Sequence, residues 1–159
     1  MAPPIYSIDS SALIHGWQRV YRPKNFGFVW DRLDLLIEEG RLRASVEVLN
    51  ELEKKDDELY AWCKDRREAL FVEIDDSCQT QVGYIMGTYP RLVDTVKGRS
   101  GGDPFVIALA ATTNPPMTVV TEEHPGKKDS PKIPDVCLAE GIPCIGLADM
   151  IEQEDWKFG

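Results

Sequence analysis

Four carboxylates carry the chemistry this sequence could do. Asp9 closes the apolar part of the run Ile5-Tyr6-Ser7-Ile8-Asp9-Ser10-Ser11-Ala12-Leu13-Ile14, where a short strand stops on an acid and two hydroxyls lead into a helical pattern. Glu51, Asp103 and the pair Glu122/Glu123 are further acids in comparable settings. In a parallel α/β sheet, ligands bind at the carboxyl ends of the strands. Acids gathered at one such edge repel each other unless a divalent cation joins them. Mg²⁺ and Mn²⁺ are hard cations that take carboxylate oxygens and retain waters. A cation held there lowers the pKa of a bound water and neutralises charge on a phosphoryl transition state, and two ions ~4 Å apart can serve the attacking and leaving oxygens together. These residues therefore point to a metal centre for phosphodiester chemistry.

Each acid also has a plain structural role open to it. Asp9 is placed to cap a helix by accepting a backbone N–H. Asp103 precedes Pro104, the order of an N-cap and an N1 proline, after a Gly101-Gly102 turn. Glu51 lies one residue round from the apolar stripe of Val48, Leu49 and Leu52, a boundary position. Glu123 could be a loop acid behind a strand. Three of the four nevertheless fall where a strand ends or a helix begins at the same sheet edge, which caps alone do not require. His15 and His124 have no nucleophile partner and read as surface or packing histidines. No GxGxxG or GxxxxGK[ST] run occurs, so dinucleotide and P-loop readings lack support. Trp17, Trp30, Trp62 and Trp156 read as packing aromatics before base-stacking ones.

The elements that must position these acids alternate strand and helix. Strands are expected at Ile5–Ile8, Leu42–Ala44, Phe71–Ile74, Met117–Thr121 and Pro143–Ile145. Helices are expected from Ser10 to Trp17, Phe26 to Glu39, Ser45 to about Lys55, Asp57 to Ala69, and Ser77 toward Val96 with a break at Gly87 or Pro90. Others run from Asp103 to Ala111, Asp135 to Glu140 and Leu147 to Gln153. Such alternation gives βαβ units, hence a three-layer α/β/α sandwich with a mainly parallel sheet, formed by residues 1–159 as one domain. The long stretch Glu122–Pro134, rich in Lys, Gly and Pro, is the one irregular connection of a length that is often functional.

Composition narrows the classes. The chain has 159 residues, 43% hydrophobic and 28% charged, an ordinary globule with room for one sizeable core. No stretch approaches the ~20 apolar residues a membrane span needs, and Met-Ala-Pro-Pro lacks the basic start and apolar core of a secretory signal. Cys63, Cys78, Cys137 and Cys144 show no CxxC spacing, which disfavours a zinc cage. Disulfides are unsupported too, and the expected location is cytoplasmic. The net charge of −9 argues against a broad nucleic-acid footprint. All of that excess lies in residues 51–85, with ten acids to five bases, and 140–159, with five acids to one base. Bases gather instead around the expected site: Arg19, Arg22 and Lys24; Arg41 and Arg43; Lys97 and Arg99; Lys127, Lys128 and Lys132. As a rule such bases simply solvate a surface.

Taken together, these residues resemble the PIN domain, a metal-dependent ribonuclease fold common in VapC-type toxins of toxin–antitoxin pairs. An apolar strand ending in Asp with a small polar residue two places on is similar to Ile8-Asp9-Ser10-Ser11. A Ser-initiated helix carrying Glu-Leu resembles Ser45-Val46-Glu47-Val48-Leu49-Asn50-Glu51-Leu52, which favours Glu51 over Glu47. Asp opening an Ala-rich helix resembles Asp103-Pro104-Phe105-Val106-Ile107-Ala108-Leu109-Ala110. The last motif, a strand ending Thr-x-Asp, is met by Thr121-Glu122-Glu123, with Glu for Asp. A Lys/Pro-rich segment ending Lys132-Ile133-Pro134-Asp135 replaces the usual short turn and helix. This ending suggests a divergent bacterial PIN-like branch.

The resemblance implies a Mg²⁺/Mn²⁺-dependent endoribonuclease with Asp9, Glu51, Asp103 and Glu123 as its catalytic metal site, cutting RNA to 5′-phosphate and 3′-hydroxyl ends. Asp9 and Asp103 would be the principal ligands, Glu51 a ligand or the residue orienting water, and Glu123 the last acid of the nest. Ser11 and Thr121 would support a ligand carboxylate or the scissile phosphate, with Lys97, Arg99, Lys127, Lys128 and Lys132 gripping the RNA backbone. The substrate would be single-stranded or structured RNA, tRNA among the candidates. The partners would be a small antitoxin, placing a basic side chain in the acidic pocket, and a second copy of the chain. Asp135 reads as the N-cap of its helix or as an extra acid. Two other classes fit less of the sequence: a weak or inactive PIN-like module that binds RNA or protein, and a receiver-type signalling domain. A receiver wants paired acids after the first strand, where Ser10 and Ser11 stand, and a Lys after the last core strand, which Val120-Thr121-Glu122 lacks.

Overall fold

Apolar runs covered on both faces form the centre of this protein. The computed structural model describes residues 2–55, 57–92, 103–127 and 129–158. Five strands, β1 (Tyr6–Ile8), β2 (Leu42–Ser45), β3 (Phe71–Val72), β4 (Thr118–Val120) and β5 (Cys144–Ile145), make one sheet in the order β3-β2-β1-β4-β5. Every pairing is parallel, with Tyr6 opposite both Leu42 and Thr118, and Ile8 opposite Val120. All residues of β1 and β4 are buried. Burial on both faces is what parallel sheets require, because their crossover helices pack above and below. The expected three-layer α/β/α fold is the one observed.

The helices follow the local signals. Between β1 and β2 run α1 (Ser10–His15), a π-helical turn (Gly16–Val20) and α2 (Pro23–Glu38). Pro23 at the first turn starts α2 earlier than its apolar stripe suggests, and Phe26, at φ −129°, ψ 42°, kinks it. Ser45 caps α3 (Val46–Glu53), accepting the Glu47 N–H at 3.3 Å. The single acidic helix expected from Asp57 to Ala69 is two, α4 (Glu58–Lys64) and α5 (Arg67–Leu70), because Arg66 leaves helical geometry at φ −110°, ψ 17°. Next, α6 (Asp76–Thr88) stops before Pro90, as a proline dictates. The expected extension toward Val96 passes outside the described residues. Finally α7 (Asp103–Ala111) leads to β4, α8 (Ile133–Glu140) to β5, and α9 (Leu147–Gln153) follows.

Packing fixes α7, and with it Asp103, against the sheet. Seven of its nine residues are buried, so it is apolar nearly all round. The buried Ser7 hydroxyl on β1 donates to the Val106 carbonyl at 2.9 Å. Three of the four tryptophans pack together, Trp17 and Trp62 lying 4.8 and 5.0 Å from Trp30 between ring centroids, which is the packing role expected of them. At the amino end of the sheet, Arg41 binds Glu154 and Glu39, and Tyr6 donates its hydroxyl to Glu154. Burial and the neighbouring Glu154 carboxylate push the Tyr6 phenol up. Arg41 therefore stands at the far end of the sheet from the acids, contrary to expectation, because it precedes β2 instead of following it. Among the described residues, no helix is long and apolar enough to cross a membrane.

The Ser7 bond joins β1 to the helix that carries Asp103. Replacing it (Ser7→Ala) should lower stability in urea denaturation by about 1 kcal/mol, the usual worth of one buried hydrogen bond.

Candidate metal centre

The sheet runs outward in two directions from its middle: β2 and β3 lie on one side of β1, β4 and β5 on the other. Above the carboxyl ends of β1 and β4 lies the switch point, where α/β sheets bind ligands. Asp9 follows β1 directly, and its N–H donates to Val120 of β4 at 2.9 Å. Glu123 stands three residues beyond β4, and Asp103 opens α7. Asp9, Asp103 and Glu123 each offer a carboxylate oxygen, and these oxygens lie within 4.8 Å of one another. Asp9 is 2% exposed and Asp103 5%.

A small network of hydroxyls holds this arrangement. Ser11 and Thr121 both donate to Asp9 Oδ2, at 2.7 and 2.9 Å, and their oxygens lie 3.1 Å apart. The same two oxygens accept the backbone N–H groups of the next loop, Ser11 from Glu122 at 3.0 Å and Thr121 from Glu123 at 3.1 Å. The loop bearing Glu123 is thereby tied to the carboxylate of Asp9. Although Asp9 occupies the N-cap position of α1, its side chain makes no capping bond. Burial pushes the Asp9 carboxyl above the usual carboxylate range, and the Ser11 and Thr121 hydroxyls and nearby amides only partly offset this.

Glu51 reaches the centre through a residue the sequence reading passed over. The Ser10 hydroxyl donates to Glu51 Oε2 at 2.9 Å and lies 3.5 Å from Asp9 Oδ1. With one proton to give, Ser10 commits it to the nearer acid. Glu51 is therefore joined to the edge of the group through α1 and stands outside its three-oxygen core. The neighbouring Glu122 faces elsewhere: its carboxylate lies 3.1 Å from His15 Nε2 and accepts the Leu147 N–H at 3.4 Å.

Asp135 is the third residue of α8, with Lys132 at the N-cap position. Its Oδ2 accepts the backbone N–H groups of Gly126 at 2.7 Å and Lys132 at 2.8 Å. It is neither the N-cap nor an extra acid of the centre, because it serves to fold the loop back. Gly126 is required there, since a Cβ would stand 2.3 Å from the Ser130 carbonyl oxygen. Lys127 is exposed and pairs with Ser130, and Lys132 is half-buried. Neither lines the two cavities that flank the acids. Lys97, Arg99 and Lys128 lie outside the described residues.

A family model for "Domain of unknown function (DUF4411)" matches residues 6–158. The chain belongs to the DUF4411 family. No curated protein matches it by sequence. Among solved structures, this DUF4411 domain is similar to the crystal structure of VapBC2 from Rickettsia felis bound to a DNA fragment from their promoter. The TM-score is 0.55 at 15% identity, covering 89% of this chain and 98% of that one. At that identity the likeness is one of fold, and the fold is PIN-like.

The donor set fits a hard divalent cation: three carboxylate oxygens converge, two of the acids are buried, and the hydroxyl donors to Asp9 are neutral. Without a cation, the buried Asp9 is a cost to folding once charged. Its raised folded-state pKa means the folded chain holds a proton more tightly than the unfolded one. Stability therefore falls as pH climbs through the unfolded value near 3.8 and levels off above the folded value. In EDTA, Asp9→Asn, whose amide oxygen still accepts both hydroxyls, should be more stable than the wild type at pH 7. That advantage should shrink toward pH 3 in urea titrations.

Proposed function

We propose that this protein is a metal-dependent endoribonuclease of PIN type. The observation that carries the reading is the convergence of Asp9, Asp103 and Glu123 at the sheet's switch point. Asp9, Asp103 and Glu123 hold Mg²⁺ or Mn²⁺, and Glu51, bonded to Ser10, orients a water or completes the ligand set. When bound, the cation supplies Lewis acidity to the scissile phosphodiester and lowers the pKa of an attacking water. Ser11 and Thr121 keep the Asp9 carboxylate in one orientation and carry the Glu123 loop with it. A glutamate at position 123 reaches one methylene further than an aspartate, and the loop tethered through Thr121 accommodates the extra length.

The solved neighbour is a VapBC2 assembly, which supports a toxin role with a small antitoxin as partner; a second copy of the chain is a further proposed partner. RNA is the proposed substrate, with tRNA among the candidates, and the cytoplasm the proposed location. Lys127 and Lys132, with Lys97, Arg99 and Lys128, are proposed contacts to the RNA backbone. The Glu at position 123 and the net charge of −9 favour one second reading, a PIN-like module that binds RNA or protein without cleaving it.

Incubating total tRNA and a generic single-stranded RNA with purified protein in Mn²⁺, Mg²⁺ or EDTA tests the proposal. Cleavage should require metal, and a folded Asp103→Asn should lose more than the roughly 10- to 100-fold typical of removing a residue that merely supports a ligand. Ser11→Ala should fall within that smaller range. A folded wild type that neither binds metal nor cleaves either RNA would move the assignment to the binding module.

A further inference from the structure

Beside the acids lies a cavity of about 550 Å³ lined by Ser11, Ile14, His15, Arg19, Glu122 and His124. Helical spacing makes it: Ser11, Ile14 and His15 share one face of α1 at i, i+3 and i+4, and the π-helical turn brings Arg19 round after them. The far wall is the loop after β4, where Glu122 and His124 flank Glu123 in sequence. Ser11 belongs to both places, since it lines the cavity and its hydroxyl donates to Asp9. A chain lying across the acid centre would therefore put its next unit here.

The charges of the lining are unequally committed. Glu122 is answered by His15 at 3.1 Å and by the Leu147 N–H. Arg19 and His124 are exposed and have no ion pair or hydrogen bond from a described residue. An arginine beside a cavity that can hold one nucleotide suits a phosphate, to which its planar fork bonds in pairs, and Ile14 offers an apolar wall to a sugar or base. The cavity near Asp34 and Glu38 differs. There Arg66 is bound to Asp34 and stacked 4.0 Å over Trp62, and Arg67 is paired with Glu73.

We infer that the Arg19–His124 cavity is a nucleotide subsite, binding the unit of RNA next to the scissile phosphate through that unit's own phosphate. This rests on the nuclease reading above. It assigns to Arg19, His15 and His124 a role that neither the sequence motifs nor the fold likeness gives them.

Fluorescence anisotropy of a labelled 12-nucleotide single-stranded RNA tests it on the folded Asp103→Asn chain, where cleavage does not interfere. Adding Arg19→Ala or His124→Ala should weaken binding about 5- to 10-fold, and Arg19→Ala should reduce the salt slope by about one, as loss of one phosphate contact does. Adding Arg67→Ala should change neither. Equal affinity for all the folded variants, or no RNA binding by any, would overturn the subsite. Arg19→Ala in the wild-type background separates the two proposals. Metal-dependent cleavage with an unchanged KM would remove the subsite and leave the nuclease standing. A raised KM with kcat held would support both, and a wild type that cleaves no RNA would overturn the nuclease reading.

Discussion

Like-charge repulsion among three converging carboxylates, two of them buried, is the constraint on which the rest of this structure turns. Three acid oxygens within 4.8 Å repel one another by on the order of 3 kcal/mol per pair at an effective dielectric of 20. Removing Asp9 from water adds a desolvation cost to its charged form, visible in its raised pKa. Both terms are sizeable against a net domain stability on the order of 5–15 kcal/mol. A divalent cation held by the three acids would offset both, and stability would then rise with cation concentration by mass action.

The fold keeps the acids together by giving each to a different rigid element. Asp9 is fixed by the hydrogen bond from its N–H to β4 and by two hydroxyl donors. Asp103 is fixed because α7 is buried along nearly its whole length and bonded to β1 through Ser7. Glu123 is on a loop, and it is tethered at Thr121 and folded back through Asp135. Hydroxyls suit this purpose. Ser11 and Thr121 donate to a carboxylate and accept a backbone N–H at the same time, so they order the site without adding charge that a cation would have to oppose. The Ser11 and Thr121 bonds join the ends of β1 and β4, where the sheet's order reverses, and the Ser7 bond ties β1 to α7.

Much of this was legible in the sequence where the signals are local. The bounds of α7 and α9 are those expected, since Asp-Pro opens one and the periodic apolar residues delimit the other. The strand-end acid Asp9 was visible because an apolar run stops on it. Features that depend on contacts distant in sequence were not visible. The Ser10–Glu51 bond spans 41 residues and exists only because α1 meets α3. Asp135 was read as the N-cap, whereas it stands at N3 and accepts the N–H groups of the N-cap residue Lys132 and of Gly126, nine residues back across the loop. At the break, Arg66 is bonded to Asp34, 32 residues back, and stacked on Trp62; the contact with Asp34 is one that no local propensity foretells. Residues alone left Glu122 and Glu123 equivalent; the Thr-x-acid spacing separates them, and the packing of His15 and Leu147 around Glu122 supplies the reason.

The most direct measurement is anomalous diffraction from crystals grown with Mn²⁺. An anomalous peak is expected among the carboxylates of Asp9, Asp103 and Glu123, with oxygens at metal-ligand distance. A well-ordered structure at saturating Mn²⁺ with no peak there, and with the three carboxylates turned apart or paired with protein cations, would contradict it.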